Sequence, residues 1–208
     1  MVMSALPSTS HDLIDGMTIG IAVVTRDSRR GPVVSACNDV FLAMMDDGRT
    51  HPRSFPVPLE TSMRDSVEKM LAADGVLSVF ILDIDYFKKI NDSYGHDIGD
   101  EVLRVLANVG MTIPYESKLF ARWGGEEFVG ALPGADASLA FSIADALRRR
   151  CEQQESEHVW RTKPVAFTVS IGVVTREAAE RDVDALMRRA DRALYRAKDT
   201  GRNRVAIG

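Results

Sequence analysis

Two short stretches of this chain hold acids where metal chemistry would want them: "LDIDYFKKIND" (82–92) and "ARWGGEEFVG" (121–130). Asp83 and Asp85 close an apolar run, and Glu126 and Glu127 follow a Gly-Gly pair directly. A tight turn needs the glycines but not the two carboxylates. Carboxylates crowded together repel one another unless a cation sits between them, and hard oxygen ligands suit Mg²⁺ or Mn²⁺. Because Mg²⁺ is usually held by a few carboxylates together with phosphate oxygens and water, such a site anticipates a nucleotide. The plainer alternative is an exposed hairpin turn whose charges are simply solvated.

The residues after Asp83 favour the nucleotide. Lys88 and Lys89 bring positive charge beside the acids, and Asn91, Asp92, Asp97 and Asp100 stand among Gly95 and Gly99. Guanine presents an N–H and an amino group as donors and a carbonyl as acceptor. A carboxylate such as Asp100 can accept from the donors, while the Asn91 amide both gives and accepts. Adenine cannot satisfy that carboxylate, and a site with unpaired polar groups rejects the wrong base. Lys198 and Arg202, beyond the last apolar stripe, either neutralise a triphosphate or only complement a helix C-terminus. His96 reads as a turn or capping residue, and Trp123 and Phe128 read as packing groups. Cys37 and Cys151 lack metal-ligand spacing and read as two reduced thiols.

These residues need a scaffold, and the apolar pattern supplies one. Residues 76–84, "VLSVFILDI", are nearly continuously apolar, as in a strand buried on both faces. Ile98, Val102, Val105, Leu106 and Val109 mark a helix. "KLFAR" and "EEFVGAL" flank "WGG" as a β-hairpin. A helix with Asp136 as N-cap follows, with Leu139, Ile143 and Leu147 on its buried stripe. "VAFTVSIGVV" (165–174) alternates, predicting a half-buried strand, and a last helix over about 182–198 stops at Gly201 before a short strand "RVAI". Ahead of all this, the spacing of Leu59, Met63, Val67, Met70 and Leu71 predicts another helix. The order β-α-β-β-α-β is that of a ferredoxin-like α+β fold with an extra helix and strand. If the first strand and the first hairpin strand run parallel through a right-handed crossover, Asp83 and the hairpin turn share one sheet edge.

The 208 residues suffice for one full domain and a small appendage. The formal net charge of -4 offers no basic field for a phosphate backbone, so nucleic acid is not an expected partner. No apolar stretch reaches membrane-span length, and "MVMSALPSTS" does not read as a signal peptide, so the expectation is a cytoplasmic protein. The segment "IGIAVVTRDSRRGPVVSACNDVFLAMM" predicts two strands and then a helix from Asn38 or Asp39. A stretch rich in proline follows, leaving 1–58 as a short N-terminal unit with its linker and 59–208 as the main domain.

Four segments in order, "DIDYFKKINDSYGHDIGDEVL", "RWGGEEF", "TVSIGV" and "ADRALYRAKDTGRNRV", together resemble the GGDEF domain of bacterial diguanylate cyclases over about residues 59–208. The resemblance implies a fold akin to adenylyl cyclases and polymerase palms. It implies condensation of two GTP into cyclic di-GMP with release of pyrophosphate. It also implies Mg²⁺ or Mn²⁺ held by Asp83, the Ile84 backbone carbonyl and Glu126, guanine read by Asn91 and Asp100, and phosphates met by Lys88, Lys198 and Arg202. Glu126 or Glu127 would assist deprotonation of a ribose 3′-hydroxyl. Each domain would hold one GTP, so two domains must face one another in an at least transient homodimer. The chain departs from the family's pattern in three places. "RTHPRSFPV" stands where the family carries an Asp-x-Leu-Thr-Gly-Leu-x-Asn-Arg element. "YESK" (115–118) stands where the product-inhibition motif Arg-x-x-Asp lies, so inhibition through that site is not expected. The N-terminal segment resembles the start of a PAS sensor but is too short for a whole one; a truncated sensor would pack on the cyclase or provide the dimer contact, and an upstream signalling protein is a further expected partner. The alternative function is a noncatalytic GGDEF module that binds GTP or a protein as a regulator.

Overall fold

The computed structural model describes residues 20–27, 31–37, 59–73, 75–111, 113, 115, 119–154 and 165–208. The elements in chain order are β1 (Gly20–Asp27), β2 (Gly31–Cys37), α1 (Leu59–Ala72), β3 (Leu77–Ile84), α2 (Phe87–Tyr94), α3 (His96–Met111), β4 (Leu119–Gly124), β5 (Glu127–Pro133), α4 (Ala137–Gln153), β6 (Val169–Thr175), α5 (Val183–Asp199) and β7 (Val205–Ile207). The strands form one sheet in the order β2-β1-β4-β5-β3-β6-β7. Within it, β4-β5-β3-β6 is the ferredoxin-like arrangement that the element order predicts. β3 pairs antiparallel with both β5 and β6, and β4 pairs antiparallel with β5, so β3 and β4 run parallel as expected.

The period of two along β3 sorts its side chains onto two faces. Phe80, Leu82 and Ile84 join Val102, Val105, Leu106 and Leu147 on the side of α3 and α4. Leu77, Val79 and Ile81 join Val67, Leu71, Leu186, Ala190 and Leu194 on the side of α1 and α5. Covered on both sides, β3 is buried at every position, which explains its uninterrupted apolar run. Phe128 is stacked on Phe120 at 5.4 Å between ring centroids, and Trp123 packs at the margin of the α1–α5 layer, so both aromatics serve packing. Cys151 is buried in the α4 layer, and burial pushes its thiol up to about 12. Cys37 has no described side chain.

Four expectations need correction. Leu139 is 43% exposed rather than on the buried stripe of α4. Asp136 does cap that helix, its side chain accepting from the Leu139 N–H at 2.8 Å, but the buried stripe runs through Ala140, Ile143, Ala144, Leu147 and Cys151, and Leu139 is turned about 100° to one side of Ala140. The strand expected over 165–174 begins only at Val169 and is buried on both faces. Its alternation has another cause: α5 lies so close above Gly172 that a Cβ there would stand 2.2 Å from the Leu194 backbone nitrogen. Gly172 admits the helix rather than meeting solvent, whereas Ala166, ahead of the strand, is exposed. Finally, α2 was not anticipated as a separate helix; Phe87 and Ile90, three apart, are its buried face.

Gly201 has a positive φ of 122°, and the Arg202 N–H donates to the Ala197 carbonyl at 3.0 Å, closing α5 much as expected. Among the described residues, no helix is long and apolar enough to cross a membrane. The helix expected from Asn38 or Asp39, the proline-rich linker and most of "YESK" lie outside the described residues.

Candidate active site

Cross-strand register brings the acids together. Asp83, the penultimate residue of β3, stands opposite Glu127 on β5 and opposite Ser170 on β6. Directly paired residues share a sheet face, so Asp83 and Glu127 both project toward α5. The turn between β4 and β5 is Gly125-Glu126, with Gly125 at φ +53°, a conformation glycine adopts without a Cβ penalty. Two residues suffice to reverse the chain, and Glu126 is thereby held next to the Asp83–Glu127 row. Chain segments more than forty residues apart thus meet at one edge, as the topology predicts.

The last turn of α5 completes the group: Lys198 Nζ lies 2.9 Å from Asp83 Oδ2. Burial raises the Asp83 carboxyl above its ordinary value; the Lys198 ammonium opposes that rise, while Glu126 and Asp85 add to it. Glu127 is also raised, by burial first and then by the charge of Asp83, with Lys198 opposing and Asp191 and Glu126 contributing further. A carboxyl moved upward in this way approaches the range in which a general base works best. Among the described residues, no three His, Cys, Asp or Glu side chains are arranged to hold a metal ion. The cation that Asp83 meets is the lysine.

The expected base-reading residues lie on the adjoining helix pair. Asn91 is near the end of α2, and Gly99 packs against it so closely that a Cβ there would sit 1.9 Å from Asn91 Oδ1. That oxygen is buried and has no hydrogen-bond partner. Asp100 follows Gly99 on α3 and is exposed, and Lys88 is exposed on the first turn of α2. Ile84 ends β3, buried on the α3–α4 side. Arg202 lies in the loop after α5, its guanidinium 4.5 Å above the Tyr86 ring. The expected residues therefore fall into a tight group, Asp83, Glu126, Glu127 and Lys198, and two flanks, one at Asn91 and one at Arg202.

Several residues of this edge were not singled out from the sequence. Asp191 of α5 acts electrostatically on Glu127, Tyr86 carries Arg202, and Asn203 donates its backbone N–H to Asp85. A helical periodicity names Asp191 only as an exposed position, and nothing in its spacing indicates which strand lies beneath.

The chain has counterparts among known proteins. The family model for the diguanylate cyclase GGDEF domain matches residues 58–204. This chain belongs to the GGDEF family. Its GGDEF domain is similar to the probable diguanylate cyclase DgcF of Escherichia coli O157:H7, 44% identical over 134 residues that cover 62% of this chain and 28% of the relative. The coiled coil and GGDEF domain of DgcB from Caulobacter crescentus, in complex with c-di-GMP, superposes with a TM-score of 0.67 at 31% identity, covering 71% of this chain and 80% of that one. The active GGEEF domain of a diguanylate cyclase from Vibrio cholerae superposes with a TM-score of 0.59 at 36% identity, covering 70% and 89%. The chain spans about a third of the length of the curated relatives it matches.

Proposed function

We propose that this GGDEF protein is a diguanylate cyclase that condenses two GTP into cyclic di-GMP and two pyrophosphates. The observation that carries the reading is the row Asp83–Glu127, with Glu126 in the turn beside it and Lys198 above, inside a family match that keeps "GGEEF" whole. Each bond would form by attack of a ribose 3′-oxygen on the α-phosphorus of the facing nucleotide. The hydroxyl proton leaves to a carboxylate and pyrophosphate departs with the P–O electron pair. Glu127, raised by burial and by Asp83, is suited to take that proton, with Glu126 as the other candidate.

The donor set suits a divalent ion. Asp83 already accepts a cation, the Lys198 ammonium at 2.9 Å, so the site as folded is built to hold positive charge. Asp83, the Ile84 carbonyl and Glu126 would hold Mg²⁺ or Mn²⁺. Such an ion supplies charge neutralisation at the phosphates and at the attacking and leaving oxygens. Lys88, Lys198 and Arg202 would meet phosphate oxygens, and Asn91 with Asp100 would read guanine, the orphan Asn91 oxygen accepting from the base.

One domain offers one such site, so turnover calls for two copies face to face, and the active species is a homodimer at least transiently. GTP as substrate supports a cytoplasmic location. Residues 59–208 would form the cyclase domain and 1–58 a PAS-like input segment that answers an upstream protein. The solved complexes of relatives with c-di-GMP support the nucleotide class. Incubating the purified full chain with GTP and Mg²⁺ and resolving the nucleotides by chromatography tests the reading. Cyclic di-GMP and pyrophosphate in a 1:2 ratio are expected, with a rate that rises faster than linearly in protein concentration. GTP bound but unconverted at high protein concentration would mean a regulatory binding module instead.

A further inference from the structure

Two residues after Asp83 the chain carries another acid, Asp85, beside the residues proposed to hold the metal. We infer that it is a positioning residue instead, the anchor that sets Arg202 for the nucleotide. Asp85 is 4% exposed, and both its carboxylate oxygens accept hydrogen bonds from within the protein. Its Oδ1 accepts from Ser170 Oγ at 2.7 Å, and its Oδ2 accepts from Thr168 Oγ1 at 2.7 Å and from the Asn203 N–H at 3.0 Å. Its own N–H donates to the Thr168 carbonyl at 2.9 Å. A carboxylate so engaged has little left to offer an ion without giving up a partner.

The bond to Asn203 holds a segment that needs holding. Arg202 and Asn203 have φ of 61° and 46°, two successive residues other than glycine in the left-handed region. Such backbone persists where the surroundings over-determine it. From below, Asp85 grips the Asn203 N–H. From above, Arg148 Nη1 donates to Asn203 Oδ1 at 2.8 Å, and Asn203 Nδ2 donates to Glu152 Oε1 at 2.8 Å. Arg148 is itself fixed by Asp145 at 2.9 Å and Glu152 at 2.8 Å. Tyr86, the residue after Asp85, also has a positive φ, 58°, and presents its ring to the Arg202 guanidinium. One buried carboxylate therefore governs both halves of the Tyr86–Arg202 stack, at the end of the sheet where Asp83 meets Lys198.

The chemistry separates an anchor from a ligand. In Asp85→Asn the amide oxygen can still accept from Thr168 and Asn203, and the amide nitrogen can donate to a rotated Ser170 hydroxyl. An anchor tolerates that exchange, whereas a metal ligand that loses its charge does not. The test uses the full chain with Asp85→Asn, Asp85→Ala and Asn203→Ala. Its first readout is hydrogen exchange of the peptide covering 200–204, and its second is the affinity and KM for GTP with the Mg²⁺ dependence. Asp85→Ala is expected to speed exchange of that peptide and to weaken GTP by about 10-fold or more, mostly in KM, a size typical of lost supporting partners. Asn203→Ala is expected to change both readouts in the same direction by less. Asp85→Asn should stay within about 3-fold of the parent in both readouts, with an unshifted Mg²⁺ requirement. If Asp85→Ala does not fold, Asp85→Asn decides alone: retention supports the anchor, and loss of GTP affinity or a raised Mg²⁺ requirement overturns it. Unchanged exchange in a folded Asp85→Ala also overturns it. The second readout rests on the cyclase reading and the first does not. A parent protein that binds no GTP would sink that reading while exchange still reports on the anchor.

Discussion

Replacing Lys198 by Met tests the electrostatic core of the site. The ammonium is 2.9 Å from an Asp83 carboxylate that is only 10% exposed, and Glu126 and Asp85 both push that carboxylate toward protonation. Removing one partner of a fully buried pair costs about 3–5 kcal/mol. The Lys198 side chain is 31% exposed, so solvent recovers part of that, and a net charged hydrogen bond of about 1.5–3 kcal/mol is the better measure. For a chain of this size that corresponds to a Tm lowered by about 3–12 °C, at about 2–4 °C per kcal/mol. The loss must depend on pH in one direction. Without the lysine the Asp83 pKa rises further, so the difference between parent and variant is full where both are ionised. It fades as pH falls toward the ordinary carboxylate value of 3.8, where Asp83 is neutral in both. The assay is a double-mutant cycle of Lys198→Met and Asp83→Asn by thermal and urea unfolding, at pH 8 and again near pH 4. A coupling below about 0.5 kcal/mol at pH 8, or one that grows toward pH 4, would refute the argument that the two groups neutralise each other in the resting protein.

Glu127→Gln should lower turnover by about 10²- to 10⁴-fold, as expected for loss of a general base, while raising stability at pH 8. The raised carboxyl of Glu127 gives its full stability only below its unfolded value of 4.5 and loses it as pH rises through the folded one, so the gain should vanish in acid. Equal melting curves across pH would contradict the assigned burial. Gly99→Ala should displace the Asn91 amide rather than unfold the protein, because the group 1.9 Å from the new Cβ is the tip of a side chain. An increase in KM for GTP of about 3- to 10-fold at unchanged kcat is expected from one lost hydrogen bond. Gly172→Ala is different in kind. Its Cβ would meet the Leu194 nitrogen at 2.2 Å and the Ala190 carbonyl at 2.3 Å, both backbone, so α5 must move. A destabilisation of about 3 kcal/mol by urea unfolding is expected, and a change under 1 kcal/mol would show that the helix has room.

The sheet was legible in the sequence because burial leaves a simple trace. The double-sided cover of β3 appears as an unbroken apolar run, and the turn chemistry of Gly124 and Gly125 marks the hairpin. From strand order alone, Asp83 and the Glu126–Glu127 pair could be brought to one edge. The alternation near 170 misled, since a small residue beneath a helix backbone and a small residue facing water look the same in one dimension. Gly172 belongs to the first kind. Leu139 misled for a different reason: its spacing of four to Ile143 and eight to Leu147 suits a stripe, but the stripe is centred on Ala140, Ala144, Leu147 and Cys151, and the small alanines hide that centre from a reading that follows large apolar residues. Tertiary partnerships left no trace at all. Asp85 and Asn203 lie 118 residues apart, and neither spacing nor composition pairs them.

The direct opposition of Asp83 and Glu127 also limits how this gene can change length. Strand residues alternate sides, so inserting or deleting one codon between Gly124 and Glu127 would either rotate every following side chain of β5 through the sheet or force a bulge to absorb the change. The first outcome would send Phe128 and Leu132 out of their layer along with the glutamate, so a length change at the tip would damage folding and chemistry in a single event. Variation among descendants of this sequence should therefore enter the hairpin by substitution, leaving its residue count untouched.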